Sequence, residues 1–457
     1  MSFRTFITQK LGVDKAIFYT LLSRGLQIST ALFTVFFIAK NLSPEEQGFY
    51  YTFGSIVALQ VFFELGMTYI VTQFVAHDVS HLKFDENFKL VGEKKYRSRL
   101  SSLLHFCTKW YLIFAVMILV ALFVGGTLFF GKYSNNSQDV VWHLPWLLLA
   151  VGTALNFLVA PILSFIEGLG KVKEVAQIRF IQQFVHPVVV WGGLSIGSKL
   201  YVSGADSIIR ILIVFIIIFK SPFFKLLKNI WDDEGEDKVS YMGEIFPLQW
   251  KIALSWISGY FIFQLFNPVL FATEGAKVAG QMGMTLAALN GIQSLTQSWI
   301  NTKVPRLSGF IAQKDYKNLD LLFDKTMKQM LLIGTLAIVC FVSVIYFIQS
   351  NDISFLGMQI GDRFLPIIPL CLMAWSLWTM VPILPWATYL RCHKKEPLLL
   401  NSVVMGILCC LSTVILGKIY GLYGITIGFA SLRIISLSWI YRTYKTKKRE
   451  WHNEEHI

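Results

Sequence analysis

Charge is scarce in this chain. Only 15% of its 457 residues are Asp, Glu, Lys or Arg, where a soluble domain carries roughly a quarter. That deficit excludes an ordinary cytosolic enzyme, and 54% hydrophobic residues exclude a disordered chain. Cysteine is sparse too. The six present (Cys107, Cys340, Cys371, Cys392, Cys409 and Cys410) form no CxxC pair, so neither a disulfide framework nor a zinc site is expected. No GxGxxG turn and no HExxH helix occurs. Two near-matches fail on context. Gly126 to Lys132 has phosphate-loop spacing, but Tyr133 stands where Ser or Thr must meet magnesium. Gly193-Leu194-Ser195-Ile196-Gly197 has the letters of a nucleophile elbow but closes an apolar run, not a strand. No catalytic residue, metal or cofactor is therefore expected.

Apolar runs are what the chain has in abundance. About twenty mostly apolar residues cross a ~30 Å hydrocarbon layer. On that rule twelve spans are predicted, near 16–38, 48–76, 110–130, 142–167, 180–197, 201–219, 252–272, 279–301, 329–349, 364–389, 398–417 and 421–441. The first run is longer than the apolar core of a cleavable signal. Of the 41 Lys and Arg, 32 fall on the side of the N-terminus, six on the other side and three within spans. Basic loops stay cytoplasmic, so both ends are expected inside. The net charge of +13 then reflects orientation rather than nucleic-acid binding. The basic stretch Arg442 to Arg449 is expected to lie against anionic headgroups.

The stretch 220–251 has no span and carries an acid cluster, Asp232, Asp233, Glu234, Glu236 and Asp237. It divides the chain into a first lobe (1–221), a cytoplasmic connector (222–247) and a second lobe (248–457). A repeat supports the division. Leu144-Pro145 and Pro161-Ile162-Leu163 in the fourth span match Leu365-Pro366 and Pro382-Ile383-Leu384 in the tenth at one offset. Six spans per half is an even number, so the halves are parallel repeats about an axis along the membrane normal. The expected fold class is an all-α polytopic membrane protein with two six-helix bundles. Eight of the thirteen prolines fall within spans; they serve either static shaping of the bundles or hinging.

Polar groups inside spans mark the candidate site. A central Arg costs roughly 2.5–3.5 kcal/mol on insertion, so Arg24, Arg210 and Arg433 each need a partner, a wet cavity or a route to the surface. Arg24 belongs to a stripe with Thr20, Ser23, Gln27, Thr30 and Thr34 at helical spacing. Glu64 belongs to a second, with Gln60, Thr68 and Thr72. Arg24 and Glu64 form either a structural ion pair or a substrate contact with its resting partner. Arg210 and Arg433 lie about nine residues from a cytoplasmic span end, where they either snorkel or face a cavity. His186 is an interhelical donor or a group titrating near neutrality. Asn290, Gln293, Gln297 and Asn301, with Trp299 nearby, suit carbohydrate or act as polar glue between helices. Arginine forks match phosphate geometry, so an anionic head group is indicated.

The run Leu42-Ser43-Pro44-Glu45-Glu46-Gln47-Gly48-Phe49-Tyr50, with Glu64-Leu65-Gly66 and Ser23-Arg24-Gly25, resembles the O-antigen flippases and related polysaccharide transport proteins. The motifs cover residues 20–70; beyond them the likeness rests on twelve spans, two lobes and a connector. The resemblance implies the fold of the multidrug/oligosaccharidyl-lipid/polysaccharide exporters, with the two bundles around a central cavity. It implies an undecaprenyl-diphosphate-linked oligosaccharide as substrate, turned from the cytoplasmic to the periplasmic leaflet of a bacterial inner membrane. Membrane lipids, a polysaccharide polymerase and a chain-length regulator are its implied partners. The family's cavity cation falls on Arg24 and its acidic position on Glu64. Substrate contact is accordingly expected from Arg24, Arg210, Arg433, Gln27, Asn290, Gln297 and Trp299, and ion coupling from Glu64 and His186. A cation-coupled multidrug exporter of the same fold is the alternative. A membrane-embedded glycan-modifying enzyme would need a catalytic residue that the short outer loops do not offer.

Overall fold

The computed structural model describes residues 15–85, 89–134, 139–233, 235–355, 358–393 and 395–453. Twelve long helices run through them, and the chain is an all-α polytopic membrane protein. They are α1 (Lys15–Asn41), α2 (Pro44–Glu64 continuing as Met67–Val79), α3 (Lys94–Tyr133), α4 (His143–Gly168), α5 (Val172–Ser195) and α6 (Tyr201–Lys220). Then come α7 (Tyr241–Phe263 continuing as Phe266–Thr273), α8 (Ala276–Asn301), α9 (Tyr316–Ser350), α10 (Ile367–Cys392), α11 (399–420) and α12 (422–453). A short antiparallel hairpin, Leu82–Phe84 with Leu90–Gly92, joins α2 to α3. Among the described residues six helices are individually long and apolar enough to cross a membrane, and the bent pairs of α2 and α7 bring this to eight. One of the six is α11 and α12 read through, with Gly421 at φ +56° between them. Outside these eight, α5 and α8 fall short because Gln182, Gln183 and His186 on one, and Asn290, Gln293 and Gln297 on the other, dilute their apolar faces. A helix with such a stripe cannot face lipid all round.

Several helices outrun the apolar runs that announce them. α3 begins at Lys94 and α9 at Tyr316, while α12 continues to Asn453. The connector is also structured. Ser221 caps a helix at Pro222–Trp231 that buries Phe223, Leu226 and Ile230. Asp233 pairs with Arg97 at 3.0 Å, and Arg99 bridges Asp78 at 3.1 Å and Glu244 at 2.7 Å. Glu234 lies outside the described residues.

By contacts the chain forms two compact units. One comprises Met1–Thr30, Ile56–Lys132 and Asp139–Trp256; the other comprises Ala31–Ser55, Tyr133–Gln138 and Ile257–Ile457. The far end of α1 and the first turns of α2 thus pack with the second unit. The reason lies in the Leu42–Tyr50 run. Ser43 and Glu46 make a reciprocal capping box that starts α2: Glu46 accepts the Ser43 N–H at 2.9 Å and the Ser43 hydroxyl accepts the Glu46 N–H at 3.1 Å. Gln47, 1% exposed, donates to the carbonyls of Gly280 (2.8 Å) and Arg363 (3.1 Å). Gln281 and Gln349 secure the same 361–365 turn through Asp362, Gly361 and Leu365. At Gly48 the backbones of α2 and α8 meet so closely that a Cβ would stand 1.9 Å from the Ala276 carbonyl oxygen. Gly48→Ala must therefore push α2 off α8. A destabilisation of about 1–3 kcal/mol, the usual cost of overpacking, is expected, read as a lower thermal midpoint of the purified protein.

α2 breaks where Leu65 and Gly66 both take left-handed backbone, at φ +51° and +71°. The Glu64 carboxylate restarts the helix by accepting the Gly66 N–H, the Thr68 N–H and the Thr68 hydroxyl at 2.9, 2.9 and 2.6 Å. Glu274 does the same for α12, accepting the Leu422 N–H at 2.6 Å beside the Gly421 kink.

Candidate functional site

In the second unit, α8 turns its amide stripe toward a cavity of about 240 Å³. Asn290, Gln293, Ser294 and Gln297 form its polar wall. Phe263 and Phe266, on either side of the break in α7, and Phe429 of α12 supply aromatic rings, with Met380 of α10 beside them. Such a lining, amides facing aromatic planes, can hydrogen-bond hydroxyls while stacking on the apolar face of a sugar ring.

Arg433 touches two of these lining residues, Met380 and Phe429, without itself lining the cavity. One helical turn after Phe429, it is 5% exposed. Its Nε donates to the Thr379 hydroxyl at 3.2 Å, and its guanidinium also meets the Met380 sulfur and lies 5.9 Å from the Phe429 ring centroid. Thr379 is held in place by donating its own proton to the Ser376 carbonyl at 2.6 Å, which leaves its lone pairs for the arginine. Among the described residues no carboxylate pairs with Arg433. A buried cation without a counter-ion is strongly disfavoured. This one keeps most of its donors unspent next to a polar cavity.

Arg210 is differently placed. In the first unit it pairs with Asp206, one turn earlier on α6, at 2.7 Å. His186 of α5 shares the same carboxylate oxygen at 3.0 Å. Asp206 is 5% exposed; its other oxygen and the Arg210 Nε are both buried without a hydrogen-bond partner. Asp206 is not among the candidates singled out above from the sequence. The signal was present, because Asp206 and Arg210 stand at i, i+4 in an otherwise apolar helix. The start of α5 at Val172 also puts His186 nine residues from the Ser195 end, past the midpoint of the helix rather than near its beginning.

The remaining candidates are dispersed. The Arg24 side chain lies outside the described residues, on the backbone of α1, and Gln27 is exposed. Glu64 spends its carboxylate on the α2 restart. Asn290 and Gln297 line the second-unit cavity. Trp299 does not; it packs against the buried cluster that includes Ile300, Leu307 and Phe323. The cavity's aromatic surface comes instead from Phe263, Phe266 and Phe429.

No protein-family model and no curated protein matches the chain. Its fold is similar to that of solved structures. One is the inward-facing conformation of a multidrug resistance MATE family transporter of the MOP superfamily, at 12% identity over 94% of this chain and 99% of that one, with a TM-score of 0.64. Another is the lipid II flippase MurJ in an inward closed conformation, at 14% identity over 94% of this chain and 87% of that one, with a TM-score of 0.62. The chain thus has the twelve-helix fold that these membrane proteins share.

Proposed function

We propose that the chain is a flippase that carries a lipid-linked oligosaccharide, anchored through an undecaprenyl diphosphate, from the cytoplasmic to the periplasmic leaflet of a bacterial inner membrane. The observation that carries this reading is Arg433, a buried guanidinium with no carboxylate partner among the described residues, adjoining a cavity walled by Asn290, Gln293 and Gln297. The diphosphate takes the guanidinium fork as a bidentate anion, the amides take the sugar hydroxyls, and the polyprenyl tail stays in lipid. Fold likeness to a lipid II flippase and the Leu42–Tyr50 and Glu64-Leu65-Gly66 runs support the same substrate class. The excess of basic residues on one side supports cytoplasmic termini. Arg24 and Gln27 stay as substrate contacts proposed from the sequence alone, while His186, with Asp206, is the favoured group for ion coupling, since the Glu64 carboxylate is committed to its own helix.

A cation-coupled drug exporter is the second reading, favoured by Asp206 with one oxygen unspent and by likeness to a multidrug transporter. One experiment separates the two. The purified protein in liposomes is loaded with fluorescent undecaprenyl-diphosphate-linked saccharide, and leaflet exchange is followed by an impermeant quencher; a parallel set carries cationic dyes. The flippase reading expects exchange of the diphosphate lipid above protein-free liposomes and no dye accumulation. Dye transport without lipid exchange overturns it.

A further inference from the structure

α12 has two careers on opposite faces. One face is fully engaged beyond the membrane: Ile440, Tyr444 and Trp451 are buried, Lys448 reaches Asp320 at 2.8 Å, and His452 meets the Tyr389 hydroxyl at 2.9 Å. These contacts fix the rotation of the helix and prevent it from swinging away. The other face follows the helical repeat, and its two exposed serines, Ser431 and Ser438, turn their hydroxyls back onto the Ile427 and Ile434 carbonyls. It begins with Ile427, Ile434 and Ile435, each about half exposed, passes through Tyr441 at 46%, and ends in Arg442, Lys445 and Arg449, all exposed. None of these three cations makes an ion pair among the described residues.

This order is the chemical profile of a bilayer leaflet read from within outward. Branched aliphatics face acyl chains, an interfacial tyrosine marks the boundary, and the cations follow at i, i+3 and i+7 (roughly 10 Å along the axis). We infer that Arg442, Lys445 and Arg449 form a docking surface for the headgroups of anionic phospholipids. The aliphatic stripe on the same face argues for lipid over a soluble acidic protein, because a partner seated on the cations would have to abut the acyl layer. The inference rests on the membrane reading alone and is independent of the substrate proposed above.

The full chain, purified in neutral detergent, is titrated with phosphatidylglycerol or phosphatidylcholine, and bound lipid is counted by native mass spectrometry. Each cation near an anionic surface contributes about 1 kcal/mol, so R442Q/K445Q/R449Q is expected to bind phosphatidylglycerol on the order of a hundredfold more weakly. Its binding of phosphatidylcholine stays unchanged, and R442K/K445R/R449K retains the wild-type preference. Equal affinity of the wild type for the two lipids overturns the proposal. So does a phosphatidylglycerol preference that survives the triple glutamine variant, or a loss confined to polyprenyl diphosphate.

Discussion

Arg433→Ala is expected to abolish transport while leaving the protein as stable as before, or more so. The two halves of that outcome have one cause. Among the described residues Arg433 is a buried cation whose contacts are a hydroxyl, a thioether and an aromatic ring, none of which supplies a counter-charge. Its desolvation is uncompensated, so removing it relieves a cost. On the flippase reading proposed above, a bound diphosphate meets the same group in a charge-assisted, two-pronged contact, and truncating one side of a buried charge pair costs roughly 2–5 kcal/mol. Apparent affinity then falls on the order of thirtyfold to several thousandfold. Arg433→Met is the sharper variant, because it fills the volume without charge. Arg433→Lys keeps the charge but loses the planar fork, and is expected to fall between wild type and alanine. The measurements are leaflet exchange of the diphosphate lipid at subsaturating concentration and the thermal midpoint of the same preparations. If Arg433→Met unfolds the protein, the guanidinium is a structural keystone. If it transports normally, the anion binds elsewhere.

The helices were legible in the sequence because a hydrocarbon layer imposes a length on apolar runs. Apolarity measures the membrane, though, and not the helix. Nothing in hydropathy announces that α3 begins at Lys94 or that α12 continues to Asn453, since those turns are held by packing and ion pairs outside lipid. The site was legible to a similar depth. A lone Arg in a span announces a site, but whether it is spent depends on its neighbours. Asp206 four residues before Arg210 answers that question for Arg210 from sequence alone, whereas the isolation of Arg433 emerges only once α10 and α12 are packed. Trp299 is an instructive case. It lies two residues beyond Gln297, about 200° around the helix, and so points away from the amide stripe. That was readable beforehand. The actual aromatic wall, from Phe263, Phe266 and Phe429 on two other helices, was not, because it exists only through tertiary packing.

Asp206→Ala tests the first unit in the opposite sense, as a loss of stability that a second substitution repairs. Asp206 is the shared acceptor for Arg210 and His186. Without it a guanidinium is left in an apolar helix bundle with no counter-charge. Breaking a buried pair from one side costs roughly 3–5 kcal/mol. The lower end is expected, because 28% of the Arg210 side chain is exposed and can recruit water. Removing both charges in Asp206→Leu with Arg210→Met should recover most of that loss, since an apolar pair of similar volume often matches or exceeds a buried ion pair. Thermal midpoints of the single and double variants decide the matter, and a double variant no better than the single would refute the pairing as the source of the effect. The rescued protein then gives a functional answer that the unstable one cannot. If the unspent Asp206 oxygen and His186 carry the coupling proton, the double variant exchanges lipid across the bilayer but no longer responds to an imposed pH gradient. A response equal to that of the wild type assigns Asp206 to architecture alone.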